Sequence, residues 1–171
     1  MAALRNEVRQ SWTSSKARSS DLLYASTGID GAIYVYAYPK GELVSGLFNS
    51  GNSYGLCSDP KGDVFVTNDY AIYEYRHGGA GPSAVLTNPF GATFSCSFDP
   101  ATGNLAALTS HDALIFQPGR HGWKQAKFIG PSYPTLLSCG YDGSGNLFIG
   151  GYATSGYFIA ELQKGKSNFI R

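Results

Sequence analysis

No stretch of this chain approaches the roughly 20 consecutive apolar residues that a membrane-crossing helix needs. Met1–Gln10 also lacks the apolar core of an export leader, so the chain reads as soluble, with its compartment unassigned. Charge of one sign is missing too: 13 Lys and Arg against 12 Asp and Glu leave a formal net charge of +1, and the basic residues are scattered. Without a concentrated positive field to neutralise a phosphate backbone, nucleic acid is not an expected partner. Cysteine is scarce: 3 residues, an odd number at wide spacing, fit neither a disulfide framework nor a paired CxxC zinc site.

Glycine and aromatic residues are abundant. The 22 glycines, 12 tyrosines, 10 phenylalanines and many short Val/Ile/Tyr runs form the composition of an all-β protein with frequent turns. At 43% hydrophobic and 15% charged, the chain is too apolar for disorder and predicts a single folded unit, 11–171, after a short tail, 1–10.

A repeat organises that unit. Tyr54-Gly-Leu-Cys57-Ser-Asp59-Pro-Lys-Gly62-Asp63-Val-Phe-Val-Thr-Asn68 returns as Phe94-Ser-Cys96-Ser-Phe-Asp99-Pro-Ala-Thr-Gly103-Asn104-Leu-Ala-Ala-Leu and as Leu137-Ser-Cys139-Gly-Tyr-Asp142-Gly-Ser-Gly145-Asn146-Leu-Phe-Ile. The turn glycines Gly62, Gly103 and Gly145 lie 41 and 42 positions apart, and a step of 42 back from Gly62 reaches Ser20, ahead of Asp21-Leu-Leu-Tyr-Ala-Ser, a worn fourth copy. A period of about 40–45 residues marks the four-stranded antiparallel blade of a β-propeller. Four blades are expected, 11–50, 51–90, 91–131 and 132–171. In the second, an inner strand near Gly55–Ser58 passes through an Asp-Pro-x-Gly-Asp turn into Val64–Asn68, then Ile72–Arg76, then an outer strand Ala84–Thr87. The first blade's inner strand is expected near Thr13–Ala17, and the fourth blade's outer strand at Asn168–Ile170.

The blade motif Gly55-Leu56…Asp59…Gly62…Val64-Phe65-Val66 resembles that of NHL-type propellers and the senescence-marker-protein (gluconolactonase-like) family. The resemblance runs from about Ser11 onward and is nearest to bacterial, often exported proteins. Such relatives usually have about six blades, so it implies a partial ring. An open arc or a fragment of a larger ring is expected ahead of a closed four-blade ring or a homo-oligomer that completes the circle.

The gluconolactonase-like relatives hold a divalent cation, Ca or Zn, at the channel mouth with Asn, Asp and Glu, which makes a metal-dependent hydrolase the alternative function. Their P-N-G-L segment matches Ser53-Tyr54-Gly55-Leu56, with Tyr54 where the metal-binding Asn would stand. Asn68 and Asp69 fall near the position of the relatives' metal Asp. The ligand set is incomplete, so no metal, cofactor or catalytic residue is assigned.

The three cysteines occupy equivalent inner-strand positions and are expected as small packing residues rather than thiols around a soft metal. A disulfide between neighbouring inner strands is not expected on distance grounds. Asp59, Asp99 and Asp142 read as turn caps, with Asp63, Asn104 and Asn146 in the same role one step on, and His77, His111 and His121 as solvated loop residues. No nucleophile elbow, Walker loop or His-Glu-x-x-His helix occurs. What remains is the loop surface, where Tyr54, Asn68, Asp69, Tyr70, Asn88, Phe90 and Tyr133 could recognise a ligand. Tyr and Asn offer contact area and hydrogen bonds at low entropic cost, suiting a protein, peptide or carbohydrate. The expected function is a non-enzymatic binding or scaffold propeller.

Overall fold

The computed structural model describes residues 10–88, 90–129 and 135–170. Among these residues all regular structure is strand, apart from one short 3-10 turn at Ser15–Arg18. The strands are β1 (Trp12–Thr13), β2 (Asp21–Ser26), β3 (Ala32–Tyr38), β4 (Glu42–Phe48), β5 (Ser53–Ser58), β6 (Val64–Asn68), β7 (Ala71–Tyr75), β8 (Pro82–Thr87), β9 (Ser95–Phe98), β10 (Leu105–Leu108), β11 (Ala113–Gly119), β12 (Gly122–Ile129), β13 (Thr135–Tyr141), β14 (Leu147–Ala153) and β15 (Gly156–Leu162). They form four antiparallel sheets in the orders β1-β4-β3-β2, β5-β6-β7-β8, β9-β10-β11-β12 and β13-β14-β15. These are the blades of a β-propeller.

Turn chemistry sets the spacing. Asp59 Oδ1 accepts the N–H groups of Lys61 and Asp63, both at 2.9 Å, and Asp142 Oδ1 accepts those of Ser144 at 2.9 Å and Asn146 at 2.8 Å. The glycine that follows takes positive φ, 81° at Gly62, 77° at Gly103 and 87° at Gly145, a conformation that a Cβ would strain.

Each strand pair then offers two apolar faces. Along β6, Val64 and Val66 pack with Ile33, Val35, Val44 and Leu47 of the first blade, whereas Phe65 packs on Cys96, Leu105, Ala107, Leu114 and Phe116 of the third. The opposite face of the third blade, Ala106, Leu108, Ala113 and Ile115, meets Leu136, Leu147, Ile149, Ala160 and Leu162 of the fourth. Three apolar clusters thus fill three joints, which is why β6 and β10 are buried at every residue.

The blades form an arc. Inner packing runs from β2 to β5, β9 and β13, with no extensive contact between first and fourth blades among the described residues. Both end faces are apolar and exposed, with Trp12, Leu23, Tyr38 and Leu43 on the first blade and Phe148, Tyr152, Tyr157 and Ile159 on the fourth.

Three expectations are corrected. The segment Thr13–Ala17 is not an inner strand: Trp12–Thr13 pairs outside β4, opposite Gly46 and Ser45, and the chain passes through the 3-10 turn before entering β2. Among the described residues the fourth blade has three strands, with Asn168–Ile170 reduced to one bridge, Glu161↔Ile170. Finally, Cys57 and Cys96 form a disulfide across the second joint, because the inner strands converge there to a Cα–Cα distance of 5.8 Å.

Candidate functional site

The loops that lead into the inner strands and those between second and third strands share one rim, here the upper rim. There the structure gathers Tyr54, Asn68, Asp69 and Tyr70 on the second blade. Tyr54 Oη donates to Asp69 Oδ1 at 2.7 Å, and the Asn52 backbone N–H donates to Asp69 Oδ2 at 2.8 Å. The Asn52 N–H, and after it the Tyr54 hydroxyl, hold the Asp69 carboxyl below its ordinary range, while the bond to Asp69 raises the Tyr54 phenol. Both Asp69 oxygens are thereby engaged. Asn68 is fully buried and bridges Ser50 O and the Tyr70 N–H, so it shapes the loop. Tyr70 is 66% exposed.

Asn88 is a loop-shaping residue as well. Its Nδ2 donates to Gly91 O at 2.7 Å and its Oδ1 accepts the Phe90 N–H at 2.9 Å, which sets the exposed Phe90 ring on the next connection. Phe94, beyond it, lies 5.0 Å from the Tyr54 ring. Tyr133 lies outside the described residues. Among the described residues no group of three His, Cys, Asp or Glu is placed to hold a metal ion.

The opposite rim carries a concavity. A cleft of about 540 Å³ opens between second and third blades. One wall is apolar, built by Phe98, Pro100, Pro118 and Trp123; the other is polar, built by Asp63, Glu74, Arg76 and Ser83. The walls are tied where Trp123 Nε1 donates to Glu74 Oε2 at 2.7 Å. Trp123 stands edge-on to Phe65 with centroids 5.3 Å apart, and Phe65 in turn stacks on Phe98 at 5.9 Å. Glu74 is 8% exposed. Arg76 Nη1 donates to Asp63 Oδ2 at 2.9 Å, and the Asp63 Oδ1 accepts the His77 N–H at 2.9 Å. Asp63 is therefore a clamp between β6 and the turn after β7 rather than a simple turn cap. His77 is corrected as well: it is half-buried, with Nε2 3.1 Å from Ser20 O of the first blade. His111 and His121 are exposed.

Sequence reasoning missed this cleft. The available signal was Glu74, one carboxylate inside Ala71-Ile-Tyr-Glu-Tyr75, an otherwise apolar strand packed on both faces. A charge at such a position needs a donor from the neighbouring blade.

No protein-family model and no curated protein sequence matches the chain. Many solved structures do match in fold. One is the structure of U3-55K, a propeller, with TM-score 0.77 over 90% of this chain and 49% of that one, at 7% sequence identity. The likeness carries the fold. The chain spans about half the length of that structure.

Proposed function

We propose that this propeller arc is a non-enzymatic binding module whose ligand enters the lower cleft between the second and third blades. The observation that carries the reading is the pairing of unlike walls: a fixed indole with Phe98 and two prolines on one side, and Glu74, Asp63 and Arg76 on the other. A ligand matching that slot has one flat apolar face and one edge rich in donors and acceptors, and a pyranose ring has that chemistry. The volume falls within the roughly 300–1,000 Å³ of small-molecule sites.

The upper-rim group of Tyr54, Asp69, Tyr70 and Phe90 is the competing surface. The resemblance to NHL and gluconolactonase-like propellers suits either surface and rests on the blade motif alone. Indole fluorescence in a Trp12→Phe background, leaving Trp123 as reporter, tests the choice by titration with a panel of neutral mono- and disaccharides. Quenching lost in Trp12→Phe/Arg76→Ala and kept in Trp12→Phe/Tyr70→Ala supports the cleft; the reverse pattern moves the site to the rim. Added Ca or Zn with a lactone substrate forms the third arm, where metal-dependent turnover would replace the binding reading by the hydrolase one. A second copy of the chain is the natural occupant of the two apolar end faces, since one copy spans about half of the propeller it matches. Light scattering that shows a monomer at high concentration would remove that part.

A further inference from the structure

In the second, third and fourth blades, the strand that follows the Asp-to-Gly turn (Asp59–Gly62, Asp99–Gly103, Asp142–Gly145) has a neighbour on each edge. Strand β6 lies between β5 and β7, β10 between β9 and β11, and β14 between β13 and β15. The first blade differs. Stepping back 42 from Val64 reaches Leu22, so β2 is the counterpart of β6, and its sheet order ends at β2. The direction agrees: the connection from β2 to β3 lies on the upper rim, where the Gly31 carbonyl accepts the Asn49 N–H, so β2 runs from lower to upper rim as β6 does.

The bonding phase shows which groups the open edge presents. Thr27 N donates to Ala32 O at 3.1 Å, and pairing continues as Ser26↔Ile33, Ala25↔Tyr34, Tyr24↔Val35 and Leu23↔Tyr36. Hydrogen-bonded pairs alternate in an antiparallel ladder, so Thr27, Ala25, Leu23 and Asp21 bond to β3. The N–H and C=O groups of Leu22, Tyr24 and Ser26 face the other way, and no backbone bond from them to another element is formed among the described residues. Leu23 is 56% exposed beside them.

We propose that the inner edge of β2 is a strand-addition site that takes an extended segment of a separate polypeptide, antiparallel, at the inner position of the first blade that none of the described residues fills. The occupant's chemistry is read from the three blades where the position is filled: Tyr-Gly-Leu-Cys-Ser, Ser-Cys-Ser-Phe and Leu-Ser-Cys-Gly-Tyr, each a small-residue strand with apolar members that ends at an Asp turn. In the second blade Leu56, Cys57 and Ser58 lie opposite Val66, Phe65 and Val64. The same register sets the segment's equivalents opposite Tyr24, Leu23 and Leu22, with the residue in the Cys57 position covering Leu23. Backbone bonds supply affinity in this mode, and the alternating side chains supply selection. The site is separate from the lower cleft, so either proposal can fail alone.

The probe is a synthetic peptide of residues 53–60 with Cys57→Ser, added to the full chain while amide hydrogen exchange is followed residue by residue. The expected result is an alternating pattern: exchange at Leu22, Tyr24 and Ser26 slows roughly tenfold or more at saturation, while Leu23 and Ala25, already bonded to β3, change little. Ser26→Pro removes an edge N–H without touching the β3 ladder and should abolish protection at Tyr24. Ser26→Ala, which loses only the side-chain bond to Tyr54 O, should retain it. Protection that fails to appear, that covers all of 21–26 evenly, or that survives Ser26→Pro would overturn the proposal. A scrambled peptide that protects the same amides would overturn its sequence preference.

Discussion

The joint between the second and third blades and the joint between the third and fourth use the same repeat positions in different ways. At the first of these, Cys57 and Cys96 are covalently bonded, Phe65 stacks on Phe98, and Trp123 bonds Glu74. At the second, Ser95 Oγ accepts the Cys139 N–H at 3.2 Å, Ser97 Oγ accepts the Tyr141 N–H at 2.9 Å, and the filling is aliphatic. A cysteine that has paired backwards with the preceding blade cannot also pair forwards. The third cysteine therefore meets a serine hydroxyl, Ser95 Oγ at 3.6 Å, and stays free. Equivalent positions in a repeat need not have equivalent partners, because each joint is completed by what the previous one has left.

The largest break in this comparison should come from the disulfide. It closes a segment of 39 residues, for which chain-entropy arguments give about 4 kcal/mol at 25 °C. Cys57→Ala/Cys96→Ala, or reduction of the native chain, should lower the unfolding free energy by about that amount, read in urea as a fall in the midpoint. Cys139→Ala should have a much smaller effect. Equal losses from both would show that the two joints are held alike.

The Glu74–Trp123 bond ranks next. Trp123→Phe keeps an aromatic ring in contact with Phe65 but leaves Glu74 Oε2 without its donor, a loss of roughly 1–3 kcal/mol for a polar atom stranded in a mostly buried position. Trp123→Phe/Glu74→Leu, which removes both polar partners, should recover part of that loss in the same urea titration. A double variant no better than the single one would mean that indole packing, not the bond, holds this joint.

The sequence carried the repeat because its punctuation is local. Gly62, Gly103 and Gly145 need positive φ, and the Asp ahead of each turn accepts the N–H groups that follow, so period and strand order could be read from residues near one another. Other features depended on neighbours far along the chain. Counting back 42 placed β2 correctly, but Ser11–Arg18 contains no copy of the Gly-Leu-Cys-Ser-Asp signature, and nothing local told Trp12–Thr13 to pair outside β4. Aligned cysteines in successive blades suggested three equal thiols, whereas pairing was decided by how closely β5 and β9 converge. On the upper rim, Tyr54, Asp69 and Tyr70 were legible as a group because they flank one hairpin. The lower cleft was not, since Glu74 and Trp123 are 49 residues apart and meet only when the blades pack.

The smallest expected effect concerns Cys139, and pH separates it from packing. Burial pushes its thiol up to about 11. A free thiol with an ordinary value near 8.5 is largely ionised by pH 10, so native Cys139 should react with iodoacetamide far more slowly at pH 8–9 than the same residue in the urea-unfolded chain. The sign for stability follows from the raised value. The folded state favours the protonated thiol, so this contribution is fully present below the unfolded value and is lost as pH rises through about 9 to 11. Burial raises Tyr75, to about 12, and Tyr141 in the same direction, so the alkaline loss is shared. Cys139→Ser should leave the melting temperature at pH 7 within a few degrees of the parent and flatten its fall between pH 9 and 11. Parallel alkaline profiles for parent and variant would show that the tyrosines alone carry the loss, leaving the free thiol at the aliphatic joint as no more than a small packed group.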